Sequence, residues 1–262
     1  MSRNDSSPSW GGLLARPGAD AHIACVSGDA GFLAEAAAGY VGAGLLAEEG
    51  VLVLATHGRW KAMAARLGSA LEGTEGRLVY ADAARALDRL MAGDRPDPAR
   101  FEAFLDDALA RIEPGRPGLR AYGELVDVLR DRGNWPAAVA LEGLWDAARR
   151  RRPFALLCSY GLDPLDPRAY GGPLEAVRAT HACLIPARDS GRLDEAVDLA
   201  LEEVLGRSLS ASVRESASSG LPSVRMPRGQ AALLALSREL PHTSARVLSL
   251  ARAIYRGGGR DG

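Results

Sequence analysis

His22-Ile-Ala-Cys-Val-Ser27 and Val51-Leu-Val-Leu-Ala55 are two short apolar runs, and between them the hydrophobic period changes. From 32 to 46 the apolar residues fall at Leu33, Ala36, Ala37, Tyr40, Val41 and Gly44, which is one face of a helix. Gly28-Asp29 turns the chain out of the first run, with Asp29 placed to cap the helix, and Gly50 breaks the helix before the second run. Residues 51–55 show no polar alternation, so both faces are expected to be buried. That suits a central parallel strand covered by helices on both sides.

The same alternation continues outward. Helices are predicted over 58–67, 83–91, 98–112, 124–132 and 134–150, and strands over 77–80, 119–122, 154–160 and 181–185. The basic run Arg149–Arg152 reads as a helix end, where cations complement the dipole. The fold class expected is α/β, with a mostly parallel central sheet flanked by helices over residues 20–188. Residues 1–19 are polar and rich in Ser, Pro and Gly, and read as a disordered leader. After the α/β domain a helix is expected over 189–206, then a flexible Ser-rich linker over 207–229. A C-terminal helical segment follows over 230–262, carrying Leu233, Leu236, Leu240, Val247, Leu250 and Ile254 and divided by Pro241.

A chain of 262 residues with 47% hydrophobic residues can bury a sizeable core without disulfides or metal. The net charge of −1 argues against direct nucleic-acid binding over the whole surface. No apolar stretch suits a membrane span and no signal-peptide core is present, so a cytoplasmic protein is expected. Cys25, Cys158 and Cys183 are far apart and lie in apolar runs, without a CxxC pair; no zinc site, disulfide framework or cofactor is suggested.

Known chemistry is hard to place on these residues. The loop Ser27-Gly28-Asp29-Ala30-Gly31-Phe32 lacks the lysine and hydroxyl residue of a phosphate loop, and Asp29 would repel a phosphate. Gly39, Gly42 and Gly44 lie inside the helix and read as close-packing positions. No Gly-x-Ser-x-Gly elbow occurs. In open α/β sheets ligands sit beyond the carboxyl ends of the strands. This makes Ser27, Asp29, Thr56, His57, Glu124 and Tyr160 the candidate ligand-binding residues, with Asp82 also at a strand end. His57 could equally cap its helix, and polar strand ends occur in any such fold. Glu142 shares a stripe with Trp135, Ala138, Val139 and Trp145, so its carboxylate needs a partner, for which Arg120 is the candidate. The two tryptophans read as core. His22 opens the first strand, away from the expected crevice; Cys158 reads as a buried strand thiol, with His181 as a conceivable neighbour.

Six segments in order carry a family resemblance. They are His22-Ile-Ala-Cys25, Gly44-Leu45 through Thr56, Arg120-Ala-Tyr-Gly-Glu124, Ala140-Leu-Glu142-Gly-Leu-Trp145, Phe154-Ala-Leu-Leu-Cys158-Ser-Tyr160, and Thr180-His181 through Pro186. Together they resemble the methanogen/methylotroph sensory (MEDS) domains. Ser27 stands where that family commonly has tyrosine, and Ala24 where it often has cysteine. The resemblance implies a RecA-like sheet without a competent phosphate loop, and it adds weight to His22, Glu124, Glu142, Cys158, Tyr160 and His181; Arg120 and Trp145 are family-motif residues beside them. It further implies a non-catalytic sensory domain for a small organic ligand, signalling through the C-terminal helices to a histidine kinase or transcription regulator. A homodimer stays open. The alternatives are a nucleotide-binding or hydrolysing enzyme with an unorthodox site, in which Glu124 would activate water, and a ligand-free scaffold.

Overall fold

The computed structural model describes residues 10–185, 189–219 and 225–257. Six parallel strands form the central sheet: β1 (His22–Val26), β2 (Gly50–Ala55), β3 (Leu78–Asp82), β6 (Leu119–Gly123), β7 (Ala155–Tyr160) and β8 (Cys183–Ile185). Their order is β3-β2-β6-β7-β1-β8. A small antiparallel hairpin of β4 (Met91–Ala92) and β5 (Arg95–Pro96) forms a separate two-stranded sheet. The helices are α1 (Trp10–Ala15), α2 (Ala30–Leu46), α3 (His57–Leu67), α4 (Ala83–Leu90), α5 (Pro98–Leu109), α6 (Leu125–Asp131), α7 (Trp135–Arg151), α8 (Pro173–Thr180), α9 (Ser190–Ser219), α10 (Arg228–Glu239) and α11 (Pro241–Gly257). The class is therefore α/β, as the alternating periods predict.

By internal contacts the chain divides into two compact units, one of residues up to 22 and 33–159, the other of 23–32 and 160 onward. In the first unit, Val51 to Ala55 of β2 are fully buried, which is why that run carries no polar alternation. Its register sets Val53 opposite Tyr80 on one side and Tyr122 on the other. Four helices here begin with a side-chain cap: Thr56, Asp82, Asp97 and Asn134 each accept a hydrogen bond from the N–H three residues on. Such a cap is worth about 1 kcal/mol. Asp97, at 2.9 Å from Arg100 N and followed by Pro98, has the best geometry for the test. Asp97→Ala is expected to lower stability by about 1 kcal/mol in urea unfolding, and Asp97→Asn to restore most of it.

The second unit contains the pairing of β1 with β8, Ala24 opposite Leu184, and a core shared by α9, α10 and α11. Leu193, Val197, Leu201, Val213, Leu233, Leu236 and Val247 meet there. The Ser-rich stretch read as a linker is helical as far as Ser219, which corrects that expectation. Ser210, Ser212, Ser218 and Ser219 turn their hydroxyls back onto carbonyls three or four residues earlier, so the serines are accommodated within the helix. Val213 and Ala217 anchor it to the core. The chain does break near the expected place, at Gly206, whose φ of 76° interrupts α9. The leader is corrected too, since 10–15 form α1. Residues 1–9 of that leader and 220–224 of the linker lie outside the described residues. No helix among the described residues is long and apolar enough to cross a membrane.

Candidate functional site

In the first unit the predicted residues fall into two buried polar clusters, one at the carboxyl end of β2 and β6 and one where β1 begins. The first centres on Glu124, which follows β6 and is only 3% exposed. Its Oε2 accepts from Thr56 N at 2.8 Å and from Thr56 Oγ1 at 3.0 Å. Its Oε1 accepts from Arg59 Nε at 2.5 Å and from the Tyr122 hydroxyl at 2.9 Å. Thr56 caps α3, and His57 is the exposed first residue of that helix and not its cap. Burial would lower the Arg59 pKa, but Tyr122 and Glu124 outweigh it and hold the guanidinium firmly charged. Burial first, and then Glu124, push the Tyr122 phenol well above its ordinary range. The carboxylate thus ties two strand ends and a helix start together, with two donors on each oxygen.

The second cluster is built on His22, Glu142 and Cys158, all less than 5% exposed. Leu156 N donates to Ala21 O at 2.8 Å, which sets the start of β1 beside β7. There His22 Nε2 lies 3.6 Å from Cys158 Sγ and 3.3 Å from Glu142 Oε2. On the ring's other side Nδ1 lies 3.1 Å from Asp146 Oδ1, and Asp146 in turn accepts from Arg149 at 3.0 Å. Asp146 was not singled out in the sequence, although it stands one turn after Glu142 on the same helical stripe and i, i+4 spacing could have found it. Burial would lower the His22 pKa, but hydrogen bonds to Asp146 and Glu142 raise it above the ordinary value. Burial, with Glu142 adding to it, pushes the Cys158 thiol well up, which does not suit an activated nucleophile.

Arg120 is not the partner of Glu142. The β2–β6 register sets Arg120 opposite Val51, beside the preceding Glu49, and its Nε pairs with that carboxylate. Its Nη1 also donates to Tyr40 O at 2.9 Å. Trp145 is core, edge-on to Phe101 at 4.9 Å and to Phe154 at 6.2 Å.

The remaining predicted residues belong to the second unit. Ser27 is buried, and its Oγ accepts from Asp29 N at 3.1 Å. Asp29 Oδ1 accepts from Gly31 N and Phe32 N, so the start of α2 already carries an anion of its own. Tyr160 meets the His181 ring edge-on at 5.7 Å. His181 Nδ1 lies 2.7 Å from Val177 O, and because a carbonyl only accepts, this nitrogen carries a proton. Two clefts outside the predicted residues have the volume of a small-molecule site. One of about 400 Å³ is lined by Asp88, Met91, Leu129 and Arg132, among others, and one of about 330 Å³ by Asp198, Arg214, Met226 and Arg228, among others.

These features define a parallel α/β domain whose first strand-to-helix loop is closed on itself and whose buried polar side chains gather at strand ends. The chain belongs to the MEDS family: the family model described as "MEthanogen/methylotroph, DcmR Sensory domain" matches residues 21–182. No curated protein and no solved structure gives a significant match.

Proposed function

We propose that this chain is a non-catalytic sensory module that binds a small organic ligand and passes the signal through α9, α10 and α11 to a partner kinase or transcription regulator. The family match over 21–182 carries the reading. Two further observations weigh against the nucleotide-hydrolase alternative. The N–H groups that begin α2, where a phosphate would bind, are given to Asp29. Glu124 has two donors on each oxygen, so its lone pairs are engaged within the protein, which does not suit a general base. In this reading the ligand binds in the first unit at the carboxyl ends of β2 and β6, as general for such sheets, beside the exposed His57.

The test is native mass spectrometry of gently purified full-length protein against its denatured mass, with thermal unfolding in parallel. An organic mass released on denaturation, whose re-addition raises Tm, is the expected result. A bare protein that is stabilised by magnesium-ATP would overturn the proposal in favour of the nucleotide reading.

A further inference from the structure

We propose that His22, Glu142 and Cys158 form a binding site for a transition-metal ion of the zinc class. Their donor atoms all lie within 4.8 Å of one another. The spacing is more specific than that figure. Ions of this class bind imidazole N and carboxylate O at about 2.0–2.1 Å and thiolate S at about 2.3 Å. The edges of a tetrahedron with those bonds are about 3.3 Å from N to O and about 3.6 Å from N to S. The structure has 3.3 Å from His22 Nε2 to Glu142 Oε2 and 3.6 Å from His22 Nε2 to Cys158 Sγ. A direct charge-assisted hydrogen bond from imidazolium to carboxylate would be shorter, about 2.7–2.9 Å.

The surroundings match a metal ligand set. Asp146 stands at His22 Nδ1, where a carboxylate holds the ring proton and turns the lone pair of Nε2 towards the other two donors. On binding, the ion takes the place of the Nε2 proton and of the thiol proton, both of which leave to solvent. A dipositive ion with one thiolate, one carboxylate and a neutral imidazole sums to zero charge, which is the arrangement a site this buried tolerates. Sulfur and nitrogen donors select zinc, cobalt or iron(II) over magnesium or calcium. The three residues leave the remaining coordination place to a further donor, from the chain or from a bound ligand. The inference stands apart from the sensory proposal, because a metal can be held whether or not an organic ligand is.

Cobalt(II) titration of the reduced, full-length protein is the test. One equivalent is expected to give a thiolate-to-cobalt charge-transfer band in the near ultraviolet and the intense visible absorption of a four-coordinate ion, both abolished by one equivalent of zinc. Cys158→Ser should remove the charge-transfer band, while Cys25→Ser and Cys183→Ser keep it. Asp146→Asn, which conserves shape, should weaken cobalt binding about 10–100-fold. Glu142→Gln serves as a second near-isosteric ligand variant, with far-ultraviolet circular dichroism confirming its fold. A folded parent protein with no thiolate band, or a band that survives in Cys158→Ser, would overturn the site. An organic mass retained by that same band-free protein would leave the sensory proposal standing alone.

Discussion

Glu124→Gln is expected to destabilise the protein by about 2–4 kcal/mol, nearly as much as Glu124→Ala at about 3–5 kcal/mol. The reason is the donor pattern. One oxygen faces Thr56 N–H and the Thr56 hydroxyl; the other faces Arg59 Nε–H and the Tyr122 hydroxyl. The hydroxyls can rotate and accept, but the two N–H groups cannot. A glutamine must point its own NH₂ at one of them whichever way it flips. Either a backbone N–H of the α3 start or the guanidinium of Arg59, itself only 13% exposed, then loses its acceptor. Arg59 also loses the charge of Glu124 from beside its guanidinium. All four tryptophans lie in the first unit, so their fluorescence in a urea titration reports the loss where it occurs. A general base would behave differently, since replacing it by its amide removes activity and spares the fold. If Glu124→Gln unfolds at the parental urea concentration, the structural account of this carboxylate is wrong and a catalytic one regains ground.

The parallel sheet was legible because a strand covered on both faces has to be largely apolar, and 51–55 and 154–158 are apolar throughout. Strand order was not legible, because parallel neighbours are distant in sequence and periodicity carries no pairing information. That is why Arg120 was assigned to Glu142: only the register with β2 reveals Glu49 as its neighbour. The Ser-rich helix was missed for a local reason. Serine is a weak helix former on its own, and here Val213 and Ala217 packing into the second unit's core, with hydroxyls returned to the backbone, override that preference. Of the site residues, Glu142 was read as needing a partner, while His22, 136 residues from Cys158 in sequence, was read as lying away from the expected crevice. No cysteine or histidine spacing could announce a donor set spread over β1, α7 and β7.

Gly44→Ala is expected to cost about 2–4 kcal/mol, and the same substitution in an Arg120→Ala background to cost nothing or to stabilise by up to about 1 kcal/mol. Gly44 lies within α2, where alanine is ordinarily preferred, so a loss on replacement has to come from contact. A Cβ there would stand 2.5 Å from Arg120 Cδ and 2.6 Å from its Nε. That side chain is not free to yield. Nη1 donates to Tyr40 O, Nε pairs with Glu49, and the guanidinium lies 4.9 Å from the centre of the Tyr40 ring, all with Arg120 only 2% exposed. Moving it off its partners leaves a buried charge without its hydrogen bonds, which is what makes the alanine methyl expensive. Arg120→Ala alone is expected to cost about 2–4 kcal/mol, less than a fully buried pair because Glu49 is 24% exposed and water can reach it. With the arginine gone, the methyl enters the space it vacated and the helix preference shows through. The double-mutant cycle reads this as a coupling of at least about 2 kcal/mol. Simple additivity of the two losses would mean that Gly44 is required by something other than Arg120, and that the arginine's place against α2 is not what this helix was shaped to admit.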